Sequence, residues 1–406
     1  MITLIRDIAQ LIQVRPEAPP YVTGEEMNRL PVIENAYVLI RDGLISEAGP
    51  MENLPAVQPD RTIDASGRLV WPAWTDSHTH AVFAEPRYGE FIDKIRGLSY
   101  EEIAARGGGI GQSAVRLRSM SEEQLYHQGR LYVERMMQYG TGAVEIKSGY
   151  GLSVEGELKM LRVIRRLGRD LPIPVKATFL GAHAVPAGMD KNDYVRLLID
   201  ELLPEIGRER LADYVDVFCE RGYFDPDDTA RLLDAALRYG LKPKVHVNQF
   251  SSTGCLQAAL AAGALSVDHL EVMTSRDLDD LARAHGTMAT VLPGCSFFLG
   301  IPYAPAKEII ARNIPLVIAT DFNPGSSPSW NMNMMVALAC IKQKLTPEQA
   351  INAATLNAAA ALELSGEMGS ITPGKKARLN LSIPLSHYGE IPYYFGTNPV
   401  AELILE

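Results

Sequence analysis

Between residues 71 and 365 the chain repeats one rhythm: a short apolar run followed by a stretch with helical periodicity. The stretches between the runs, such as GELKMLRVIRRLGRD, carry apolar residues at i, i+3 and i+4, as the outer helices of an α/β protein do. In order, the strand candidates are LVWPAWTDSH, TGAVEIKSG, PVKATFLGAH, YVDVF, KPKVHVN, ALSVDH, GTMATVLP and PLVIATD. Eight βα units in about 290 residues predict a TIM-type (β/α)8 barrel.

The two ends of the chain follow a different pattern. Residues 1–70 contain short alternating runs, with Asp42-Gly43 as a hairpin signal between two apolar segments. After residue 365 short strands return, punctuated by Gly and Pro and ending in AELILE. We therefore expect residues 1–70 and 366–406 to form one composite, β-sandwich-like small domain beside a barrel of residues 71–365.

Charge and hydropathy narrow the classes of partner. A formal net charge of -10 argues against nucleic acid, which needs a basic face. Arg6 and Asp7 interrupt the apolar stretch at the start, unlike a signal peptide, and nothing later approaches the ~20 apolar residues of a membrane span. The sequence therefore predicts a cytoplasmic protein with a small-molecule substrate. Apolar faces on the barrel helices would permit a homodimer.

The cysteines predict neither a disulfide framework nor a structural zinc site. Cys219, Cys255, Cys295 and Cys340 lie far apart in the sequence, with no CxxC pair. We expect all four to be reduced thiols. A cysteine hydrolase using Cys295 or Cys219 is possible in principle, but neither has a nearby sequence signal for an activating base.

Polar residues collect where the predicted barrel strands end, which is where such barrels place their chemistry. The residues at these ends are Asp76, Ser77, His78, Thr79, His80, His183, His246, Asp268, His269 and Asp321. A lone HxH is more often a pair of satisfied polar side chains at a loop edge. Here, however, five of the 8 histidines fall at strand ends of one barrel, which favours a metal site.

The residue types suggest which metal this site would hold. His78 and His80 point to the same side of an extended segment, and His246 and Asp321 would complete a cation site. Nitrogen ligands with one carboxylate suit zinc or iron(II). Such a metal keeps a position open for water and lowers its pKa to about 7, which produces hydroxide at neutral pH. Asp321 could then shuttle protons while His269 holds the water or the developing oxyanion.

One metal is favoured over two. Barrel hydrolases with two metals usually bridge them with a modified lysine at the end of strand four, where this chain has Phe218-Cys219-Glu220. Lys147, after strand two, leaves a weak opening for a second metal. We expect Lys147 instead to pair with the acidic residues around it.

Several longer segments carry a family resemblance. They are residues 78–109, beginning HTHAVFAEPRYGEF, and the segments KSGYGL at 147–152, TFLGAH at 178–183, PGCSFFLGIPYAP at 293–305, ATDFNPGS at 319–326 and IPYY at 391–394. Together they resemble the imidazolonepropionases of histidine breakdown, in the amidohydrolase superfamily, across essentially the whole barrel. Within the first segment, Gly107-Gly108-Gly109 precedes no strand, which favours a flap over a dinucleotide fingerprint.

The resemblance implies an activity and a set of site residues. Members of this family hydrolyse 4-imidazolone-5-propanoate to N-formimidoyl-L-glutamate with one zinc or iron. The implied metal ligands are His78, His80, His246 and Asp321. The implied substrate contacts are Arg87, Tyr150, His183, Asn323, Gly325 and Ser326.

Several of these substrate contacts also have a structural alternative. Arg87 offers a planar fork matched to the propanoate carboxylate, and the alternative is a surface salt bridge with Glu85 or Glu90. His183 could bind or polarise the ring carbonyl, or serve as a loop histidine. The residues after Asp321 could contact substrate, form a tight turn, or do both.

Gln249 departs from the family pattern. The family commonly reads His-Ala-Asp-Glu after strand five, whereas this chain reads His-Val-Asn-Gln and so has an amide in place of an acid. Glutamine cannot act as a general base, although it can hydrogen-bond the N–H and C=O of an imidazolone. Either Asp321 and His269 handle the protons, or the substrate is a related cyclic amide or amidine. Two further functions are compatible with the sequence: deamination of a heterocycle, and binding of a small carboxylate by a catalytically silent barrel.

Overall fold

The computed structural model describes residues 1–98, 102 and 108–406. Its strands are β1 Ile2–Ile12, β2 Val32–Arg41, β3 Leu44–Pro50, β4 Arg61–Asp64, β5 Arg68–Pro72, β6 Trp74–Asp76, β7 Thr141–Lys147, β8 Val175–Ala182, β9 Tyr214–Cys219, β10 Lys242–Val247, β11 Ser266–His269, β12 Met288–Val291, β13 Leu316–Ile318, β14 Arg378–Pro384 and β15 Val400–Leu405. The predicted flap lies partly outside the described residues, because Gly107 is not among them.

Helices connect the strands on the outside of the molecule. They are α1 Tyr88–Ile95, α2 Ile110–Ser119, α3 Glu122–Gln138, α4 Val154–Asp170, α5 Lys191–Leu197, α6 Leu203–Glu209, α7 Pro226–Leu237, α8 Cys255–Ala261, α9 Ser275–Arg283, α10 Pro293–Leu299, α11 Ala306–Ala311, α12 Met332–Ile341, α13 Pro347–Ala354, α14 Leu356–Ala360 and α15 Glu390–Tyr393. Shorter turns of helix occupy Gly24–Asn28, Met51–Asn53 and Leu198–Leu202. Among the described residues, no helix is long and apolar enough to cross a membrane.

Strands β6 to β13 form an eight-stranded parallel sheet in which each strand pairs with its sequence neighbours. The sheet closes just beyond β6 and β13. There the Asp321 amide donates to the His78 carbonyl at 3.0 Å, and the His80 amide donates to the Phe322 carbonyl at 2.8 Å. The prediction of an α/β TIM-type barrel is confirmed, and the closure brings the HxH segment next to Asp321.

The two ends of the chain build one seven-stranded sheet, in the order β15-β14-β5-β1-β2-β3, with β4 also paired to β1. A bulge at Asp7, where φ is 55°, interrupts β1 between its pairings with β4 and with β5. The sheet has its own apolar core, formed mainly by Ile5, Ile8, Val38, Ile40, Val70, Leu379 and Ile404. The domain bounds 1–70, 71–365 and 366–406 stay predictions.

The first predicted barrel strand was wrong in one respect. The run LVWPAWTDSH spans two strands, since β5 pairs with β14 of the small sheet and only β6 enters the barrel. The change of sheet falls at Ala73, whose amide donates to the Arg378 carbonyl at 2.9 Å. The run is apolar throughout because both sheets bury it.

The prediction of four free thiols was also wrong. Cys219, at the end of β9, is disulfide-bonded to Cys255 at the start of α8, across 36 residues of sequence and with a Cα–Cα distance of 5.6 Å. The pair forms because a barrel places the end of one strand beside the helix that follows the next strand. Cys295 and Cys340 are free.

Candidate metal centre and active site

Three imidazoles and one carboxylate meet at the mouth of the barrel. Potential ligand atoms of His78, His80 and His246 all lie within 4.8 Å of one another, and all three side chains are buried. Asp321 Oδ1 lies 3.5 Å from His78 Nε2 and 3.4 Å from His80 Nε2. The structure therefore brings together the four residues that the sequence predicts as metal ligands.

Buried carboxylates orient two of these rings. His78 Nδ1 is 2.6 Å from Asp268 Oδ2, and His246 Nδ1 is 2.8 Å from Asp216 Oδ2. A carboxylate accepts the Nδ1 proton, so Nε2 of each ring is the nitrogen that can bind a metal once any proton on it is displaced. Asp216 also accepts the His246 amide at 3.0 Å, which fixes the ring and its backbone together.

A buried lysine connects these carboxylates. Lys147 Nζ lies 2.7 Å from Glu145, 2.9 Å from Asp216 and 3.8 Å from Asp268, and all four side chains are completely buried. Burial alone would lower the pKa of Lys147, but the three carboxylates outweigh it and raise that pKa. Lys147 thus forms ion pairs with the acidic residues around it, as the sequence predicted.

The sequence reasoning missed Asp216 and Glu145 as parts of the site. Both are charged residues inside apolar strands, YVDVF and TGAVEIK. Charged residues are rarely fully buried without partners, so their positions in these runs were the signal that could have found them.

The site fits a divalent cation. His78 Nε2 is buried and has no hydrogen-bond partner among the described residues. Burial would raise the pKa of Asp321, but the His78 and His80 side chains outweigh it and hold that pKa well below its usual range. Three imidazoles and one anionic carboxylate are the ligand set that zinc or iron(II) takes.

Strained backbone places several of these groups. Asp321, His269 and Asn248 have φ values of 52°, 88° and 55° at the ends of strands β13, β11 and β10. Side-chain-bearing residues rarely adopt this left-handed region, and such strain concentrates at functional sites. Local backbone geometry thus marks the same end of the barrel as the histidine cluster.

His183 and His269 flank the metal ligands. His183 stacks on His80 with ring centroids 5.3 Å apart, and its Nδ1 is 3.0 Å from the Gly149 carbonyl oxygen. That oxygen can only accept, so Nδ1 carries the proton and Nε2 of the neutral ring is an acceptor. Burial, reinforced by His80, lowers the pKa of His183 to about 3. His269 lies on the other side, 5.2 Å from the His246 ring.

Arg87 and Tyr150 line the side of the site opposite β11. The Arg87 guanidinium covers Gly325 so closely that a Cβ there would lie 1.9 Å from Nη2. Glu90 is 3.6 Å from Nη1, while the buried Nε has no hydrogen-bond partner among the described residues. Burial raises the pKa of Tyr150, and the nearby Arg87 opposes that rise. A buried cation with an unused donor is suited to bind an anion.

The loop after β13 is held by Asn323. Its Oδ1 accepts the amides of Gly325 at 2.8 Å and Ser326 at 2.7 Å, and its Nδ2 donates to the Asp321 carbonyl at 2.7 Å. The Asn323 amide is thus engaged within the turn, which is the structural alternative considered for it. This turn keeps Gly325 beneath Arg87.

Gln249 lies beside a free cysteine. Gln249 is 7% exposed, and its Nε2 donates to Cys295 Sγ at 3.4 Å. Cys295 is completely buried, and burial, reinforced by Asp321 and Glu271, raises the pKa of its thiol well above the usual range. The position of the expected acid is therefore occupied by an amide and a protonated thiol.

Comparisons with known proteins agree with this geometry. Residues 69–399 match the Amidohydrolase family. An imidazolonepropionase from Flavobacterium johnsoniae is 55% identical over 408 residues, covering 100% of this chain and 99% of the relative. Another, from Geobacillus thermodenitrificans, is 41% identical over 401 residues, covering 97% of this chain and 94% of the relative.

Solved structures share the fold at low identity. An adenosine deaminase from Xanthomonas campestris, solved with bound zinc, has a TM-score of 0.73 and 17% identity, covering 99% of this chain and 91% of its own. The E. coli guanine deaminase has a TM-score of 0.76 and 15% identity, covering 100% and 97% of the two chains. At these identities the likeness speaks for the fold alone.

Proposed function

The chain belongs to the imidazolonepropionases of the amidohydrolase family, and from this premise we propose that it hydrolyses 4-imidazolone-5-propanoate to N-formimidoyl-L-glutamate. One arrangement carries this function: the His78, His80, His246 and Asp321 cluster lies beside a buried Arg87 with an unused donor. The cluster suits hydrolysis and the arginine suits a substrate that carries a carboxylate.

Arg87 and Tyr150 bind the propanoate in this proposal. The guanidinium supplies a planar fork to the carboxylate, and Nε is the donor left free for it. Gly325 lets the guanidinium lie flat against the backbone, since a side chain there would occupy its place. The substrate side chain is thereby directed away from the metal ligands, which leaves the ring over them.

His183 binds the ring as an acceptor. From the sequence, His183 was expected to bind or polarise the ring carbonyl, or to serve as a loop histidine. Polarising the carbonyl requires a proton on Nε2, and a pKa of about 3 leaves the ring neutral at neutral pH, with its proton on Nδ1. Accepting a hydrogen bond from a ring N–H is therefore the role that fits.

Asp321 and His269 handle the protons. A divalent cation, when bound, activates water and polarises the ring carbonyl. Asp321 takes the proton from the attacking water and returns it to the ring nitrogen that leaves, while His269 stabilises the oxyanion. Gln249 contributes hydrogen bonds alone, because its amide cannot accept a full proton. Water adds to a ring carbon, the C–N bond breaks and the ring opens.

Zinc and iron(II) both suit three imidazoles and one carboxylate, so we propose one ion of either kind. The homodimer and the cytoplasmic location stay predictions from the sequence.

The function is tested by following the absorbance of 4-imidazolone-5-propanoate with protein of known metal content. We expect rapid, metal-dependent decay that is lost in His246→Ala and kept in His127→Ala, which alters a histidine with a side chain 68% exposed. Release of ammonia from heterocyclic amines would instead indicate a deaminase. Failure of metal-replete protein to turn over the imidazolone would contradict the proposal.

A further inference from the structure

A second group of metal-binding side chains lies behind His269. Potential ligand atoms of His269, Glu271 and Cys295 all lie within 4.8 Å of one another, and the three side chains are buried. The ligand atoms of His78, His80 and His246 also lie within 4.8 Å of one another, so the two groups are equally compact by this measure. Bonds of about 2.0 to 2.3 Å to a tetrahedral zinc place ligand pairs about 3.3 to 3.8 Å apart, so small side-chain movements would close either group around an ion.

Glu271 is a buried carboxylate that no lysine or arginine among the described residues neutralises. Glu145, Asp216 and Asp268 each lie within 3.8 Å of Lys147 Nζ. Glu271 has no lysine or arginine partner of this kind among the described residues, and its Oε2 accepts no hydrogen bond there. Its Oε1 has two long contacts, 3.4 Å to His269 Nδ1 and 3.3 Å to Ser296 Oγ. A buried carboxylate in this state is stabilised by a cation.

We propose that His269, Glu271 and Cys295 form a second, weaker site for a thiophilic divalent cation such as Zn²⁺, and that filling it inhibits the enzyme. The ion binds His269 through Nδ1, the nitrogen that faces Glu271. The Cys295 thiol gives up its proton to solvent when the ion binds, and the thiolate selects zinc over magnesium or calcium. Repulsion from the ion held by His78, His80 and His246 makes this site the weaker one.

We expect inhibition because the second ion would change the contacts of two residues of the proposed active site, Gln249 and His269. Cys295 Sγ accepts a hydrogen bond from Gln249, so coordination of the thiolate withdraws a partner from a substrate-binding residue. It also fixes His269, which stabilises the oxyanion. This consequence rests on the proposed function, whereas binding of the second ion does not.

Cobalt titration of the metal-free protein tests the binding, because thiolate coordination to Co²⁺ gives a near-ultraviolet charge-transfer band. We expect this band to grow with the second equivalent of Co²⁺ and to be absent in Cys295→Ala, Cys295→Ser and Glu271→Gln. Cys340→Ser is the matched control, since Cys340 is the other free cysteine among the described residues, and it keeps the band. Absence of a thiolate band from the wild type in excess Co²⁺ overturns the proposal.

Zinc inhibition provides the second readout. Each variant is compared with its own rate in one equivalent of zinc, so a lower basal rate does not affect the result. We expect Cys295→Ala to raise the zinc concentration for half-inhibition by at least the ~10-fold that loss of a ligand's supporting contact costs. Equal inhibition of Cys295→Ala and the wild type overturns the inhibitory role. Absence of imidazolone turnover with a normal thiolate band would contradict the proposed function and leave the second site standing.

Discussion

At the scale of single residues, Arg87 shows how a charge is kept available for a ligand. Its side chain is 14% exposed, Glu90 lies 3.6 Å away as a loose partner, and Gly325 supplies a flat surface beneath it. A full bidentate pair with Glu90 would have used two N–H donors at the edge of the guanidinium. The structure leaves the Nε donor for a carboxylate from outside.

Replacing Arg87 with lysine keeps the charge and removes the fork. Charged hydrogen bonds contribute about 1.5 to 3 kcal/mol, so we expect KM for 4-imidazolone-5-propanoate to rise about 10- to 100-fold, with kcat changing far less. Steady-state kinetics measures both. Arg238→Lys, at an exposed ion pair with Asp234, should leave KM unchanged. An equal rise in KM for the neutral propanamide analogue would show that Arg87 does not bind the carboxylate.

The sequence predicted the cluster of possible metal ligands that the structure brings together, and missed Asp216, which supports one of them. His78, His80, His246 and Asp321 stand at strand ends, where a barrel forces them together. The contact between Gln249 and Cys295 could not be foreseen, because it joins a loop to helix α10, 46 residues further along the chain, and depends on how the two pack.

At the scale of elements, the strands of the barrel carry an ionic layer beneath the metal site. Glu145 and Lys147 alternate along β7, so both point to the same side of the strand, and Asp216 meets them from β9. Asp216 in turn holds His246. The position of Lys147 therefore helps to fix, through Asp216, the orientation of His246, a proposed metal ligand.

Lys147→Met tests this layer. The substitution leaves Glu145, Asp216 and Asp268 buried without their shared cation, so we expect the free energy of unfolding to fall by about 3–5 kcal/mol. Metal affinity falls as well, since Asp216 and Asp268 lose their fixed positions. Urea unfolding and metal analysis measure the two effects. Lys242→Met removes a half-exposed ion pair with Glu363 and should cost less than about 1 kcal/mol. A similarly small loss for Lys147→Met would contradict the ionic layer.

The periodicity of the elements predicted the barrel, but not where one sheet yields to the next. The run from β5 to β6 is apolar throughout because both sheets bury it, so alternation gave no signal of the change at Ala73. The Cys219–Cys255 disulfide was not predicted for a related reason, because it depends on how α8 packs beside the end of β9. Both are facts of tertiary packing.

At the scale of the whole molecule, the chain that returns from the barrel bonds to strand β3 of the small sheet. The Ile45 amide of β3 donates to the Lys375 carbonyl at 2.8 Å, and the Gly374 amide donates to the Ile45 carbonyl at 2.8 Å. The Lys375 ammonium is buried there, donating to Ser370 Oγ at 2.7 Å and to the Met368 carbonyl at 3.3 Å. No carboxylate among the described residues pairs with it, so this junction holds an unneutralised charge.

Lys375→Met should therefore stabilise the protein at neutral pH and destabilise it in alkali. Burial lowers the pKa of Lys375 to about 8, against about 10.4 in an unfolded chain. Between these two pKa values the unfolded chain binds more protons than the folded protein, so the free energy of unfolding rises with pH. Below pH 8 the buried ammonium stays charged, which lowers the stability of the folded protein by the full ~3 kcal/mol. After the loss of two hydrogen bonds of about 1 kcal/mol each, we expect a gain of about 1 kcal/mol at pH 7 that becomes a loss above pH ~10.5.

Urea unfolding at both pH values measures the change, with the exposed neighbour Lys376→Met as control. A difference from the wild type that is the same at both pH values would mean that Lys375 is not charged at a cost in the folded protein.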